Sequence, residues 1–212
     1  MADRCHAHRY GAKQQIVSHA EQSSDVYFIV SGQVRATIYS AGGKEIAFRD
    51  LGAGDMFGDL SAIDGKPRSA NVVAIADSFV ISMTAKAFQE VLKTYPAVAM
   101  AALQELVDLV RGLCERVIEM STLGVKNRIH ADLLRLAQKK MKDDKTAVLS
   151  PAPKHADVAS RVSTHREAVT REFNQLAQIG LLERRTGALV ITDVPELARM
   201  VEEVRHQQII GG

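Results

Sequence analysis

One helical stripe constrains the fold of this chain more than any other feature. Residues 97–123 contain no proline and a single glycine, Gly112. Apolar residues recur along this segment with spacings of 3, 4, 3, 4 and 3, which is the a/d pattern of a coiled coil. They are Leu103, Leu106, Val110, Leu113, Val117 and Met120. So narrow a stripe favours a helix that pairs with the same helix of a second subunit, and a helix packed on its own domain is the alternative.

The sequence before this helix predicts short β-strands. Residues 25–30 are rich in β-forming side chains, and residues 34–38 alternate apolar and polar side chains before a glycine-rich turn at 41–44. Two further strand patterns occupy residues 71–76 and 78–83. Frequent turn signals without a long helical pattern predict an antiparallel sandwich or barrel.

The sequence after the long helix predicts a helical domain with a hairpin. An amphipathic helix is expected over residues 126–140, two short helices over 155–162 and 166–179, and a last helix over 195–205. Two short strands are expected within residues 181–191. Two short helices joined by a tight turn and followed by a hairpin describe a winged helix-turn-helix.

The start of the second short helix carries side chains that suit DNA. Arginine can donate two hydrogen bonds to guanine, and glutamate can accept from cytosine. The residues predicted to contact bases or phosphates are Lys154, His155, Thr164, His165, Arg166, Glu167, Thr170, Arg171, Arg184 and Arg185. The spacing of Thr164 and Glu167 predicts a capping box that begins this helix. The alternatives are that Glu167 serves only the helix cap and that this face is merely solvated.

Charge and composition exclude several classes of protein. The net charge of +2 hides an excess of Lys and Arg after residue 120, 15 against 11 Asp and Glu. No stretch approaches the roughly 20 apolar residues of a membrane helix, and the N-terminus lacks a secretory signal. Cys5 and Cys114 fit neither a disulfide framework nor a metal site. Since no catalytic constellation stands out, we expect a soluble cytoplasmic protein that is not an enzyme.

A second constellation lies between the strands at 34–38 and 71–76. It runs from Phe57-Gly58-Asp59-Leu60-Ser61 to Pro67-Arg68-Ser69-Ala70. A glycine before a short helical turn can present backbone N–H groups to an anion, and an arginine can fold back to bind a phosphate. Asp59 could accept hydrogen bonds from sugar hydroxyls. The alternative is a structural salt bridge between Asp59 and Arg68.

Taken together, these segments resemble the cyclic-AMP receptor protein / fumarate–nitrate regulator (Crp/Fnr) family of bacterial transcription regulators. The resemblance covers residues 5–193. Residues 5–32 are similar to the opening of the family's cyclic-nucleotide β-roll, and residues 57–70 to its phosphate-binding cassette. The 103–120 heptads resemble its dimer helix, and residues 165–171 its recognition helix. In the family, the residues that match Arg166, Glu167 and Arg171 read a TGTGA-type half-site.

The resemblance implies an α+β fold in three parts. These are an antiparallel β-roll at 1–95, a dimerisation helix and hinge at 96–123, and a winged helix-turn-helix at 124–212. It implies a homodimer that binds a palindromic site on double-stranded DNA and works with RNA polymerase. The break at 121–124 is expected to act as the hinge between the dimer helix and the DNA-binding domain.

The resemblance also implies a small effector, cyclic AMP or cyclic GMP, in each β-roll. The matching residues are Gly58, Asp59, Leu60, Ser61, Arg68, Ser69, Leu113 and Cys114. Arg68 and Ser69 would hold the cyclic phosphate. Asp59 stands where the family usually has glutamate, and Leu113-Cys114 where cyclic-AMP-responsive members have Thr-Ser. An effector-independent regulator, or one with another ligand, is therefore the alternative. Iron–sulfur sensing would need four cysteines, and no haem ligand stands out.

Overall fold

A computed structural model describes residues 5–40, 43, 45–141, 143 and 145–210, with the backbone alone for 205–210. The chain divides into two compact units, Met1–Leu109 and Val110–Gly212. In the part that is described, no helix is both long and apolar enough to cross a lipid bilayer. Residues 41, 42 and 44 of the expected hairpin turn lie outside the described residues.

Short antiparallel strands make up most of the first unit. They are β1 (Cys5–Tyr10), β2 (Gln15–Val17), β3 (Val26–Ser31), β4 (Gln33–Tyr39), β5 (Glu45–Gly52), β6 (Met56–Phe57), β7 (Asn71–Ala74) and β8 (Ser78–Met83). Two four-stranded sheets result, with the orders β1-β8-β3-β6 and β2-β7-β4-β5. The expected antiparallel β-roll is confirmed.

The two sheets share one apolar core. Val34 of β4, Phe57 of β6 and Val80 of β8 lie in the same buried cluster, which therefore draws on both sheets. The alternation expected for β4 is not kept, because Arg35 and Thr37 are buried as well. The pairing of β4 with β5 shifts register between Ala36 and Thr37, and such an irregularity turns the strand and changes which side chains face inward.

Three helices begin within the first unit: α1 (Asp59–Asp64), α2 (Ala85–Thr94) and α3 (Pro96–Thr122). Phe88 of α2 and Ala62 of α1 pack on the β-roll in a second buried cluster. The long helix α3 was expected from its heptads and is confirmed. Five of its six heptad residues are exposed in the single chain, and Leu106 is half-buried.

The second unit has the elements of a winged helix-turn-helix. They are α4 (Val125–Gln138), β9 (Ala147–Leu149), α5 (His155–Arg161), α6 (Arg166–Gln178), β10 (Leu182–Arg185), β11 (Ala188–Ile191) and α7 (Val194–Ile210). The strands form one antiparallel sheet in the order β10-β11-β9. Leu133, Phe173 and Ile191 lie at its core with the other apolar faces of the helices.

The sequence analysis missed several elements, among them the short strands β2 and β6 of the first unit. It assigned neither α1 as a full helix nor α2, and it predicted a two-stranded hairpin where the wing has a third strand, β9. The short strand β9 follows a charge-rich segment and contains only three residues, so its β pattern is too short to stand out. Its partner β11 supplies the pairing that makes it a strand.

Candidate functional site

Gly58, Asp59 and Arg68 lie together at the start of α1, and we call these three residues the cradle. Gly58 determines how closely the other parts approach. Its backbone has a φ of +85°, which an L-residue with a side chain rarely adopts. A Cβ atom at this position would lie 2.5 Å from the Asp25 carbonyl oxygen and 2.6 Å from Nη1 of Arg68. Glycine is therefore what allows the arginine to approach the backbone at this point.

Arg68 is a buried cation, with only 3% of its surface exposed. Its Nε donates to Ser23 Oγ at 2.8 Å, Nη1 to the Gly58 carbonyl at 3.1 Å, and Nη2 to the Asp25 carbonyl at 2.8 Å. The guanidinium carbon also lies 5.9 Å from the centre of the Tyr27 ring. Burial lowers the pKa of Arg68 from its usual value, although nearby Tyr27 and carboxylates oppose that shift.

All three hydrogen-bond acceptors of Arg68 are neutral. The alternative of a structural Asp59–Arg68 salt bridge is wrong for the described residues, because no ion pair joins these two side chains. A guanidinium has five N–H donors, so one hydrogen remains on each terminal nitrogen. An anion with two oxygens could accept both of them.

Arg35 provides a contrast within the same β-roll. It is also buried, but its Nε and Nη2 donate to the two carboxylate oxygens of Asp50 at 2.6 and 2.9 Å. A buried charge without a partner is unfavourable, and Arg35 avoids that cost through a bidentate pair. Arg68 has no such partner among the residues that the structure describes.

Asp59 is the first residue of α1 and lies beside Gly58. The backbone N–H groups of Asp59 and Leu60 lower the pKa of its carboxyl group, yet burial dominates and raises that pKa. Arg49 acts on it from β5 and lowers that pKa in part. Arg49 itself is paired with Glu105 of α3, with 2.9 Å between Nη2 and Oε2.

The remaining predicted effector residues are distributed unevenly. Gly58, Asp59 and Arg68 come together at the start of α1. Leu60 is exposed on α1, Ser61 is buried in it, and Ser69 is exposed next to Arg68. Leu113 and Cys114 belong to the second unit and are exposed on α3, and their part in effector binding stays a prediction.

The helix α6 presents the predicted base-reading face. Arg166, Glu167 and Arg171 are exposed, whereas Val169 and Phe173 are buried in the core behind them. The expected capping box is wrong. His165, not Thr164, is the N-cap, and it makes no side-chain cap bond. The helix begins one residue later than a Thr164 cap requires, so Glu167 is at the second helical position instead of the third.

His155 and Thr170 are joined to each other on this face. His155 Nδ1 lies 2.7 Å from Thr170 Oγ1, and the Thr170 hydroxyl donates to the Arg166 carbonyl at 3.0 Å. Because that hydroxyl has one hydrogen, His155 must donate through Nδ1, and its Nε2 can donate only when the ring is protonated. Burial, followed by the charges of Arg184 and Arg166, lowers the pKa of His155.

The wing and the start of α5 supply further cations. Arg184 Nη2 donates to Asn174 Oδ1 at 2.6 Å. Arg185 is held by Glu183 through bonds of 3.0 and 2.9 Å. Lys154 is the N-cap of α5 and is exposed, and Thr164 is half-buried. A phosphate would therefore compete with Glu183 for Arg185.

Comparison with known proteins gives this arrangement a family. Residues 7–95 match the cyclic nucleotide-binding domain, and residues 127–200 match the Crp-like helix-turn-helix domain. The chain belongs to the Crp/Fnr family of transcription regulators. As a member, this Crp/Fnr protein is a DNA-binding transcription regulator with a cyclic-nucleotide-binding domain, and the family is not one of enzymes.

Three relatives illustrate the similarity of this Crp/Fnr protein to known regulators. The cyclic AMP receptor protein of Thermus thermophilus is 29% identical over 84% of this chain and 78% of its own. The cAMP-activated global transcriptional regulator CRP of Salmonella typhimurium is 26% identical over 88% of this chain and 90% of its own. A CooA mutant structure from Carboxydothermus hydrogenoformans has a TM-score of 0.82 and 21% identity, covering 94% and 88% of the two chains.

The partners of Arg68 in this Crp/Fnr protein were missed by the sequence analysis. Ser23 and Asp25 precede Arg68 by more than 40 residues and carry no motif of their own. The pair of Arg49 with Glu105 was missed for the same reason, because its members are 56 positions apart. Only the packing of the β-roll brings these residues together, so no local pattern could have found them.

Proposed function

We propose that this protein is a homodimeric regulator that binds a cyclic nucleotide, cAMP or cGMP, in each β-roll and reads a palindromic, TGTGA-like DNA site. The observation that carries the effector part is the burial of Arg68 with neutral partners only. A cyclic phosphate has one negative charge and two exocyclic oxygens, and these suit the two remaining N–H groups of Arg68.

The neighbours of Arg68 suit the rest of a nucleotide. Asp59 lies at the start of α1 beside Gly58 and can accept from a ribose hydroxyl. Ser69 follows Arg68 and is exposed, so that its hydroxyl is available to a phosphate oxygen. Leu113 and Cys114 would lie against the base, where Cys114 offers only a weak S–H donor.

The exposed stripe of α3 supports the homodimer. Val110 and Val117 are 58% and 65% exposed in the single chain, although they lie within a regular a/d pattern. Contiguous exposed apolar surface of this kind marks an interface in a soluble protein. We place the β-roll at 1–95, the dimerisation helix at 96–123 and the DNA-binding domain at 124–212, in a cytoplasmic protein that also contacts RNA polymerase.

The DNA-reading part of the proposal assigns bases to α6. Arg166 and Arg171 would donate to guanine, and Glu167 would accept from cytosine. His165 and Thr170 would face the groove with them. The residues that would bind phosphates and position the helix are Lys154, His155, Thr164, Arg184 and Arg185. Two recognition helices related by two-fold symmetry would meet half-sites about one helical turn, ~34 Å, apart.

A second candidate is a regulator of the same fold that works without an effector or with another ligand. Asp59 favours it, because its side chain is one methylene shorter than the glutamate that the family usually places there. Leu113 also favours it, because its side chain offers no hydrogen bond to a base.

Calorimetric titration of the full-length protein with cAMP and with cGMP tests the effector. We expect binding of at least one nucleotide, weakened about 100-fold in Arg68→Gln. Lys66→Gln is a matched control, since Lys66 lies two residues away and its side chain is 79% exposed. Absence of heat with both nucleotides would favour the second candidate. Unchanged binding by Arg68→Gln would refute the phosphate role.

A further inference from the structure

The last turns of α3 are joined to the winged domain by buried charges. Glu119 of α3 is only 7% exposed, and both of its carboxylate oxygens accept from Nη2 of Arg135 in α4, at 2.9 and 2.8 Å. One turn earlier, Arg116 donates to the carbonyl oxygen of Arg161 in α5 at 2.6 Å. Two turns of α3 are therefore bonded to two different helices of the DNA-binding domain.

A second ion pair continues this network. Asp132 of α4 is 2% exposed and accepts from Nε and Nη2 of Arg161, with distances of 2.8 to 3.0 Å. Arg135 Nη1 also lies 3.5 Å from Asp132 Oδ1, so Asp132 links the two pairs. We call Arg116, Glu119, Arg128, Asp132, Arg135 and Arg161 the clamp.

Arg128 closes the clamp around the connection between α3 and α4. Its Nη1 donates to the carbonyl of Leu123 at 2.9 Å, and its Nε donates to the carbonyl of Val162 at 3.0 Å. Leu123 itself is buried, and its backbone N–H donates to the Glu119 carbonyl. The short break at residues 123 and 124 is therefore held from both sides.

These bonds hold the break at 121–124 in the arrangement that the structure describes. Removing one member of a buried ion pair leaves a charge without a partner in an apolar environment, which is strongly unfavourable. Swinging the winged domain about Gly124 would separate Glu119 from Arg135 and Arg116 from Arg161. The hinge at this break stays a prediction, and any hinge motion would have to break these contacts.

We propose that the clamp fixes the recognition helix α6 relative to the end of α3 and thereby sets the half-site spacing that the dimer accepts on DNA. The proposal rests on the homodimer of the proposed function. A dimer whose winged domains are rigidly held can read two half-sites at one separation only. A change of one base pair moves a half-site by about 3.4 Å and turns it by roughly 34°, so one recognition helix loses its base contacts.

The test compares operators whose half-sites are moved together or apart by one base pair. We expect wild-type protein with its effector to prefer one spacing by at least about tenfold, which is the cost of losing specific contacts at a single base pair. The double variant Glu119→Ala/Arg135→Ala removes both members of one pair and avoids leaving a lone buried charge. In this variant the preference should fall to about twofold, with affinity for the displaced sites retained or raised.

Two further variants separate positioning from folding. Arg135→Lys keeps the positive charge, so this single variant should retain most of the spacing preference of the wild-type protein. Arg199→Ala is the matched control, because Arg199 is an exposed, ion-paired arginine of the same domain whose partner Glu203 is also exposed. If the double variant does not fold, Glu119→Gln carries the test, since it removes the charge and keeps the shape.

The outcomes separate this proposal from the proposed function. A wild-type protein that sediments as a monomer, or that shows no spacing preference, would refute the proposed homodimer itself. A wild-type preference that the clamp variants keep unchanged would overturn the clamp proposal alone. An equal loss of affinity at every spacing would also overturn it, because that result indicates a purely structural role.

Discussion

Arg68 of the β-roll and the buried carboxylates of the second unit differ in the partners that they have. In the second unit, Asp132 and Glu119 are each paired with an arginine at hydrogen-bonding distance. In the β-roll, Arg68 is as well buried as they are, yet its hydrogen bonds go to neutral oxygens. A buried charge with a partner holds a structure together, whereas a buried charge without one is ready to receive a partner from outside.

The largest expected effect is the loss of a paired charge in the winged domain. Asp132→Ala leaves Arg161 without its carboxylate, and we expect the free energy of unfolding to fall by about 3–5 kcal/mol. Urea denaturation followed by circular dichroism measures this. Glu183→Ala, which removes an exposed partner of Arg185, should leave the midpoint nearly unchanged. Equal effects of the two substitutions would remove the distinction between buried and exposed pairs.

A smaller effect is expected for the cations that we propose to face DNA. Arg166 is exposed on α6, and Arg166→Ala should weaken binding to a specific site by about 1–3 kcal/mol and relax the preference at one base pair. Arg185→Ala should cause a smaller loss that is the same for all sequences, because Arg185 must first leave Glu183. Fluorescence anisotropy with specific and random duplexes tests both. A uniform loss for Arg166→Ala would remove its role in base recognition.

The buried pair of His130 and Glu172 should make stability depend on pH. His130 Nε2 lies 2.6 Å from Glu172 Oε1, and burial lowers the pKa of His130 from 6.5 although Glu172 opposes this. Below pH 6.5 the unfolded chain therefore binds a proton more readily than the folded chain. Stability should fall on acidification below that pH, by up to about 1.4 kcal/mol per pH unit.

Urea midpoints between pH 5 and pH 8 measure this dependence. His130→Gln keeps a group that can donate to Glu172 but does not titrate, so the slope below pH 6.5 should become shallower. Since the pKa of His155 is also lowered, part of the slope should persist in that variant. An unchanged slope would show that His130 does not contribute to it.

The smallest expected effect is on the free energy of unfolding when Arg68 is replaced. Among the described residues, Arg68 has no carboxylate partner to lose. Arg68→Gln should change the free energy of unfolding of the effector-free protein by less than about 1 kcal/mol, because the substitution also removes a desolvated charge. Arg35→Gln should be more destabilising, since it leaves Asp50 without its bidentate partner. Thermal unfolding of both variants decides this. A large destabilisation by Arg68→Gln would mean that Arg68 is structural.

The fold was predictable from the sequence where the pattern is local and long. The heptads of α3, the amphipathic α4 and α6, and the strands β3, β4 and β8 all follow from periodicity within one segment. The cradle was predictable only in part. Gly58, Asp59 and Arg68 could be found because they lie within one short stretch of sequence. Ser23 and Asp25, which hold Arg68, depend on how the sheets pack.

The clamp was not predictable from the sequence for a related reason. Glu119 lies off the a/d positions of α3, and a charged residue at such a position gives no sign in the sequence that it is buried. The burial of Glu119 and Asp132 depends on where α4 and α5 pack, which periodicity does not specify. The capping box failed on a smaller scale, because a shift of one residue is enough to remove it.

The glycine at position 58 has a consequence for how such regulators diverge. A single nucleotide change converts any glycine codon into an alanine codon, and the added methyl group would collide with both the Asp25 carbonyl and the Arg68 side chain. That change would disturb the ligand cradle without touching the winged domain. One point mutation thus provides a short evolutionary route from a regulator that senses a small molecule to one that no longer does.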